Sequence, residues 1–295
     1  MPQSPKITAE LLTVRDFIRY GVSCFNRAGL VYGHGTDNAF DEAAWLVLET
    51  LHLPVGELEP YLDARLTAPE RKAVAAIIAR RIKTRKPAAY LLNKAYIQGV
   101  PFYVDERVIV PRSFIGEMLC AEDFALTDES DTVLDLCTGS GCLAILAALA
   151  FPSAAVDAVD LSAEALAVAK RNVAEHGLEG RITLFKGDLF KPLKNKKYDL
   201  IISNPPYVDA PAMKALPPEY RHEPVMALAA GKDGLDIVRR ILKEAPAHLT
   251  PNGGLLCEIG QGRVRLEDEY PQLEFLWLDS EMSEGEVFWL TREQF

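Results

Sequence analysis

Four short stretches of this 295-residue chain carry residue types at spacings that could do chemistry. The first is Asp135-Leu136-Cys137-Thr138-Gly139-Ser140-Gly141-Cys142-Leu143-Ala144, which follows an apolar run. Glycines there let the backbone turn sharply and approach a ligand closely. A helix opening behind them offers unpaired N–H groups. The second is Asp160, at the end of the next apolar run and 19 residues after Gly141. That spacing suits a carboxylate accepting hydrogen bonds from ribose hydroxyls. The third is Gly187-Asp188-Leu189 and the fourth Asn204-Pro205-Pro206-Tyr207.

The glycine loop alone is ambiguous. Gly139, Gly141 and Ala144 also satisfy the G-x-G-x-x-G/A dinucleotide fingerprint, and a tight strand-to-helix turn needs no ligand at all. Asp135 tips the choice. A carboxylate inside the loop would repel a pyrophosphate and attract the ammonium and sulfonium of S-adenosylmethionine, a cation without phosphate. Asp188 could then accept the adenine amino group with Leu189 against the ring, although Gly-Asp is also a common turn.

The fourth stretch has two prolines in series and so almost no backbone donors. The Asn204 side-chain oxygen and the Pro205 carbonyl can both accept from one planar NH2 group, with the Tyr207 ring beside it. That suits an amide or an aromatic amine as substrate. Two acceptors on its hydrogens would orient the nitrogen lone pair for an in-line displacement and stabilise charge developing on nitrogen. No general base is obvious, and the proton can leave after transfer. Asn-Pro is also a common turn starter.

These residues need elements to position them. From Thr132 onward strand and helix patterns alternate, with strands expected at Val133–Leu136, Ala155–Asp160, Ile182–Gly187, Tyr198–Asn204, Gly254–Ile259, Phe275–Leu278 and Val287–Leu290. Helices are expected at Gly141–Ala150, Ala163–His176 and Leu235–His248, with a short one near Arg263–Glu269. Such alternation implies an α/β fold with a mostly parallel sheet covered on both faces. The Pro-rich stretch of about thirty residues from Asn204 to Gly234 shows no helix and reads as a functional loop. Residues 1–90 read as helices: Val14, Phe17, Ile18, Gly21, Val22 and Phe25 in one, and Phe40, Trp45, Leu48 and Leu51 in a second, capped by Asp37 or Asn38. A third carries Val74, Ile77, Ile78 and Ile82 behind a Thr67–Glu70 capping box, and Pro87 ends it. Tyr96–Val100 and Phe102–Val110 read as a hairpin or strand pair, followed by a short helix from Ile115 to about Ala125 and the polar linker Asp128–Asp131.

Composition narrows the functional classes. With 49% apolar and 25% charged residues the chain is an ordinary globular protein. Its net charge of −10 argues against a sequence-independent nucleic-acid binder and suits a small molecule or a basic protein partner. The longest apolar run, Cys142–Phe151, is too short for a bilayer that needs about 20 residues. The first residues, Met1–Leu12, show no basic-then-apolar leader pattern. A cytoplasmic protein without membrane or DNA partners is expected. The odd set Cys24, Cys120, Cys137, Cys142 and Cys257 contains no C-x-x-C, which disfavours a disulfide scaffold or structural zinc.

The motifs together resemble the class I S-adenosylmethionine-dependent methyltransferases and, within them, the N5-glutamine methyltransferases that modify translation proteins. The matching residues are Phe102, Val108-Ile109-Val110-Pro111-Arg112, Asp135–Cys142, Asp160, Asn204–Tyr207, Arg221-His222-Glu223-Pro224, Ala227-Leu228 and Asp233-Gly234-Leu235. The branch acting on peptide chain release factors usually reads Pro-Arg-Pro-x-Thr-Glu after the hairpin. Here Pro111-Arg112-Ser113-Phe114-Ile115-Gly116-Glu117 places the acid one position later. Pro-Arg-Ser, the cysteine-flanked loop and Tyr-Arg-His-Glu-Pro are similar to the branch acting on the third large-subunit ribosomal protein.

The resemblance implies a Rossmann-like, seven-stranded methyltransferase domain over 131–295, a hairpin and linker helix over 95–130, and a helical substrate-recognition domain over 1–94. It implies S-adenosylmethionine as cofactor, without a metal, and a basic ribosomal protein as partner, free or in an assembling large subunit. The cofactor set would be Asp135, Cys137, Thr138, Gly139, Ser140, Gly141, Asp160, Leu161, Asp188, Leu189 and Asn204. The catalytic set would be Asn204, Pro205, Pro206 and Tyr207. Phe102, Asn204 and Tyr207 would touch substrate, although Phe102 reads equally well as a core strand residue. Rival readings are the same chemistry on release factors, an adenine-N6 nucleic-acid methyltransferase, and an idle assembly factor that keeps the fold. Arg221-His222-Glu223 reads first as a solvated loop, and second as part of a site, since the long segment after the tetrad could fold over the substrate. The run Arg80–Lys86, with five basic residues among seven, reads as a solvated helix end or as a contact with ribosomal RNA.

Overall fold

The computed structural model describes residues 5–121, 130–280 and 283–295. Ala125, Asp128, Glu129 and the first four residues of the chain, on which some of the expectations above fall, lie outside them. The chain divides into two compact units, Met1–Lys94 with Leu216–His222, and Ala95–Ala215 with Glu223–Phe295.

The first unit is helical, with α1 (Pro5–Glu10), α2 (Val14–Ala28), α3 (Ala39–Thr50), α4 (Ala68–Thr84) and α5 (Ala88–Leu92). Local chemistry sets the boundaries. Thr13 and Asp16 form a capping box at α2, Asn38 caps α3 by accepting from Phe40 N and Asp41 N, and Thr67 and Glu70 form a second capping box at α4. Phe40, on α3, is 50% exposed, and the buried face of that helix includes Ala43, Trp45, Leu46, Val47 and Leu48.

The basic run at the end of α4 is solvated only in part: Arg80 and Lys83 are exposed, whereas Arg81 is buried. The buried face of α4 is Val74, Ala75, Ile78 and Arg81, so one cation occupies a core position. Arg81 is 0% exposed; its Nε donates to Glu42 Oε1 at 2.8 Å, and its guanidinium lies 3.9 Å from Glu219 Oε1. Arg85 Nη2 lies 2.6 Å from the same oxygen, and Val31 N donates to it at 3.1 Å. Glu219 comes from the late segment 216–222, so these ion pairs hold that segment to the helices.

The second unit opens with the hairpin β1 (Ala95–Ile97) and β2 (Val100–Phe102), closed by Gln98 and Gly99 with φ 48° and 75°. The expected strand from Phe102 to Val110 stops at Phe102. The Asp105 carboxylate gathers the Arg107 backbone N–H, the Arg107 guanidinium and the Tyr103 hydroxyl into a turn that breaks the strand. The linker helix α6 is Phe114–Cys120.

Then follow β3 (Thr132–Leu136), α7 (Cys142–Ala150), β4 (Ala155–Asp160), α8 (Ala163–Glu175), β5 (Ile182–Lys186), β6 (Tyr198–Ser203), α9 (Ala210–Ala215), α10 (Asp236–His248), β7 (Leu249–Glu258), α11 (Arg263–Glu269), β8 (Leu276–Ser280) and β9 (Ser283–Thr291). Among the described residues the sheet has seven strands in the order β5-β4-β3-β6-β7-β9-β8, parallel except for β9, which runs antiparallel to β7 and β8. The expected α/β, seven-stranded, mostly parallel architecture is therefore present. The stretch after Asn204 does contain short helical elements, α9 and 3₁₀ turns at Pro218–His222 and Val225–Ala227. Each is too short to leave a clear 3.6-residue period.

Side chains alternate across the sheet with a period of two. Val133, Leu200, Ile202, Leu256, Val287 and Trp289 pack toward α6 and α7, while Leu134, Leu136, Ile201, Leu255, Cys257, Phe288 and Leu290 pack toward α10. No helix among the described residues is long and apolar enough to cross a membrane.

Breaking the buried ion pairs of the first unit strands uncompensated charge. Arg81→Met leaves Glu42 without its partner and is expected to destabilise the protein by about 3–5 kcal/mol, read as a lowered denaturant midpoint. A loss below about 1 kcal/mol would mean that the pair contributes little.

Candidate active site

The strand order reverses between β3 and β6, and such a point opens a crevice at the carboxyl ends of the strands. The registers Leu136↔Val159, Leu136↔Ser203 and Asp160↔Lys186 line up the ends of β5, β4, β3 and β6. Asp188, Asp160, the glycine loop and Asn204 therefore fall in a row along one edge of the sheet.

The period of two turns Asp135 toward α7, where it is fully buried. Its Oδ2 accepts from Thr138 Oγ1 at 2.5 Å and from Ala144 N at 3.0 Å, satisfying a free amide in the first turn of α7. Its Oδ1 is buried without a hydrogen-bond partner among the described residues. Burial pushes the carboxyl up to about 7, against those two hydrogen bonds. Gly141 has φ 79°, and a Cβ there would lie 3.1 Å from Ala169 Cβ, so glycine meets both a left-handed turn and the close approach of α8. Cys137 takes φ 60°, and burial pushes its thiol well above the usual range. The Ser140 carbonyl accepts from Asn172 Nδ2 at 2.8 Å.

Asp160 holds the loop from the other side. Its Oδ2 accepts from Gly139 N at 2.9 Å and its Oδ1 from Ser162 N at 2.8 Å. A carboxylate has about four acceptor sites, so each oxygen keeps capacity for a ribose hydroxyl. Leu161 beside it is 55% exposed. Asp188 is more occupied than an open adenine acceptor would be. Lys191 Nζ lies 2.6 Å from one oxygen and Arg240 2.7 Å from the other, and these cations hold the carboxyl below its usual range. Leu189, with φ 50°, is buried against the α10 face of the sheet.

At the end of β6, Ser203 Oγ donates to the Leu136 carbonyl at 2.9 Å and ties the two diverging strands together. Asn204 follows half-buried, and none of the described residues hydrogen-bonds its side chain. Pro205 is buried; Pro206 and Tyr207 are half-buried. Phe102 ends β2. It is 1% exposed in the core cluster with α6 and α7, with its ring 5.4 Å from that of His176.

Several supporting residues were not read from the sequence. Asn172 is fully buried on α8. Besides holding Ser140, it accepts from Tyr103 N at 2.7 Å and donates to Tyr103 O at 3.0 Å, joining the glycine loop to the chain leaving the hairpin. An Asn among the buried positions Val168, Ala169 and Val173 was the available signal. Glu223, first read as part of a solvated loop, is buried and takes both Arg112 guanidinium nitrogens at 2.7 Å and Val110 N at 2.9 Å. Glu258, at the end of β7, was read only as part of a strand. It is buried beside Tyr207.

A glycine loop after the first strand of the sheet, a carboxylate at the end of the next and a polar tetrad at the switch point define a class I methyltransferase. Residues 115–216 match the family model described as the methyltransferase small domain. The chain is 59% identical over 290 residues to the ribosomal protein uL3 glutamine methyltransferase of Bradyrhizobium diazoefficiens, covering 95% of this chain and 91% of that protein. It is 57% identical over 289 residues to the protein of the same name from Burkholderia pseudomallei, covering 94% and 93%. The chain belongs to the ribosomal protein uL3 glutamine methyltransferase family.

Two solved structures share the fold. The hMettl16 catalytic domain in complex with MAT2A 3′UTR hairpin 6 aligns with a TM-score of 0.52 at 15% identity, over 76% of this chain and 81% of that one. A methyltransferase from Pyrococcus furiosus aligns with a TM-score of 0.50 at 18% identity, over 66% and 90%.

The raised carboxyl of Asp135 sets a pH dependence. Its folded value, about 7, lies above the unfolded value near 4, so the folded state binds the extra proton between them. Its contribution to stability is complete below about pH 4 and is lost as pH rises through 7. Asp135→Asn keeps an oxygen for Thr138 and Ala144 but cannot ionise. Denaturant melts from pH 4 to 8 are expected to show a shallower decline for this variant. An unchanged slope would place the titration elsewhere.

Proposed function

We propose that this chain transfers the methyl group of S-adenosylmethionine to the N5 side-chain amide of a glutamine in the large-subunit ribosomal protein uL3. The observation that carries this reading is the Asn204 side chain, held at the switch point beside the glycine loop with its amide oxygen unused.

The residues fit the cofactor chemically. The buried, unpartnered Asp135 Oδ1 is an acceptor that a cationic group would complete, and Asp160 keeps acceptor capacity for a ribose. Asp135, Asp160, the Gly139–Gly141 loop and Leu189 would hold the molecule, with Asp188 contributing only beside Lys191 and Arg240. When bound, S-adenosylmethionine supplies an electrophilic methyl carbon on a sulfonium.

The work left to the protein is orientation. A primary amide delocalises its nitrogen lone pair into the carbonyl. The Asn204 oxygen and the Pro205 carbonyl accept the two amide hydrogens and turn the lone pair out of conjugation toward the methyl carbon. Negative oxygens on those hydrogens also stabilise the positive charge that grows on nitrogen as the N–C bond forms and the C–S bond breaks. The product nitrogen is then strongly acidic and loses its proton to water, so no general base is needed. Pro205 and Pro206 keep competing backbone N–H donors out of this corner. The net charge of −10 favours encounter with a basic ribosomal protein, and the names of the relatives point to the same substrate.

Purified protein given labelled S-adenosylmethionine with unmodified uL3, release factors and adenine-containing duplex in parallel is expected to label one glutamine of uL3. Asn204→Ala should cut that rate at least about a hundredfold at saturating cofactor. Label on release factors would overturn the substrate, and label on adenine the reaction.

Cofactor affinity carries its own signature. Below about pH 7 Asp135 is neutral and must release its proton to meet a cation, so affinity should fall by up to about tenfold per pH unit. Calorimetry in buffers of different ionisation enthalpy should show that proton, and Asp135→Asn should abolish it. Affinity constant from pH 5 to 8 would remove Asp135 from the cofactor's partners.

A further inference from the structure

We propose that Glu258 is a positioning residue for methyl transfer: it holds the Tyr207 hydroxyl, and through it keeps the Asn204–Tyr207 turn in register for the glutamine amide. The proposal rests on the glutamine-methylation reading above and assigns the tetrad a support.

The geometry is specific. The period of two along β7 turns Glu258 to the same face as Leu256, toward α6. Its Oε2 accepts from Ser113 Oγ at 2.7 Å and from Phe114 N at 3.0 Å, so that oxygen is spent on the linker. Its Oε1 faces the Tyr207 hydroxyl at 3.4 Å. The opposite constraint on Tyr207 is steric. Gly260, two residues on, has φ 54°, and a Cβ there would lie 2.9 Å from the ring carbons Cδ2 and Cε2. The ring is thus set against a bare backbone on one side and its hydroxyl against a carboxyl fixed by two donors. Two stiff prolines separate that ring from Asn204, so a rotation of Tyr207 is passed along the turn with little slack. The 3.4 Å contact is longer than the ~2.7–2.8 Å of a strong O–H···O bond. Catalytic hydrogen bonds are often long in the free enzyme and close in the complex.

A group kept only to stabilise the fold would be better replaced by an apolar side chain, because a buried carboxyl costs desolvation. Burial pushes Glu258 up to about 7, aided by Glu286 on β9 and opposed by the Ser113 and Phe114 donors. The other charged groups at this corner are Arg112, which acts on Tyr207 and is held by Glu223, and Tyr207 itself, pushed up by burial. Ionised Glu258 accepts from Tyr207. Protonated on Oε1, it donates instead and turns the tyrosine proton away. Glu258→Gln mimics that second state: its oxygen takes the Ser113 and Phe114 donors and its NH2 meets Tyr207.

The test combines a double-mutant cycle with a readout that needs no substrate. With uL3 at saturating S-adenosylmethionine, Glu258→Gln and Tyr207→Phe should each lower kcat by about ten- to a hundredfold while cofactor affinity stays within about twofold. The double variant should be no slower than the worse single, because both remove one contact. Losses that multiply, or that fall on cofactor affinity, overturn the proposal. In the ligand-free protein, 3-fluorotyrosine at position 207 should give a ¹⁹F resonance that titrates near pH 7 and ceases to do so in Glu258→Gln. Ser113→Ala removes one donor from the carboxylate and should move that midpoint up by about one unit. A resonance that ignores both changes sinks the proposal, even where the variants fold poorly or turn over slowly. Failure of the wild type to methylate uL3, with the titration present, removes the substrate reading and leaves the Glu258–Tyr207 link standing.

Discussion

Two parallel strands that part company impose the main constraint on this catalytic unit. At the ends of β3 and β6 the backbone must be left open for a ligand and yet be held rigidly enough to orient one. A single buried hydrogen bond, Ser203 Oγ to the Leu136 carbonyl, spans the point of divergence. Beyond it the chain from β3 turns back through Cys137, Gly139 and Gly141, all with positive φ. The chain from β6 runs out through two prolines. One side is rich in backbone donors and flexible by composition, the other poor in donors and stiff. That asymmetry separates a loop suited to a cofactor from a turn suited to an NH2 group.

The open edge is braced by the same device used twice. Asp135 and Glu258 both project to the α6–α7 face of the sheet because strand side chains alternate. Each spends one oxygen on a hydroxyl and on an amide N–H near the start of a helix: Thr138 and Ala144 for Asp135, Ser113 and Phe114 for Glu258. The second oxygen is without a hydrogen-bond partner among the described residues in Asp135 and turned to Tyr207 in Glu258. Burial raises both carboxyls to about 7. The charge of either group therefore depends on what is beside that spare oxygen. A cation or a hydroxyl donor placed there would favour the charge that the apolar core otherwise suppresses.

Much of this was legible in the sequence because strands and helices packed on two faces carry strong periodic patterns. Ala155–Asp160 and Arg263–Glu269 have the boundaries that their residues suggest, and β3, β5 and β6 differ from expectation by one residue at an end. The site edge was legible for a related reason, since Gly139, Gly141, Asp160 and Asn204 are punctuation at the ends of those patterns. What escaped was long-range pairing of charge. Arg81 and Arg85 look like surface cations until Glu219, more than a hundred residues away, is known to meet them. Glu223 and Glu258 likewise look unremarkable without Arg112 and Ser113. A buried carboxylate has no local signature, because the donors that make its burial tolerable come from elsewhere in the chain.

Those pairings give the segment after the tetrad its anchors. Just after Tyr207 the segment is closed by a parallel bridge, with Val208 N donating to the Leu228 carbonyl and Ala230 N to the Val208 carbonyl. Between these ends the chain gives residues 216–222 to the helical unit and resumes the catalytic unit at Glu223. Glu219 is anchored in the former by Arg81, Arg85 and Val31, and Glu223 in the latter by Arg112 and Val110. Apolar anchors would hold such a segment with looser register, because hydrophobic contact is non-directional, whereas a bidentate Arg–carboxylate pair fixes orientation as well as position. Desolvating Arg81, Glu42 and Glu219 in the helical unit is a poor route to stability alone. It is a sound route to a single arrangement of residues 216–222 on those helices.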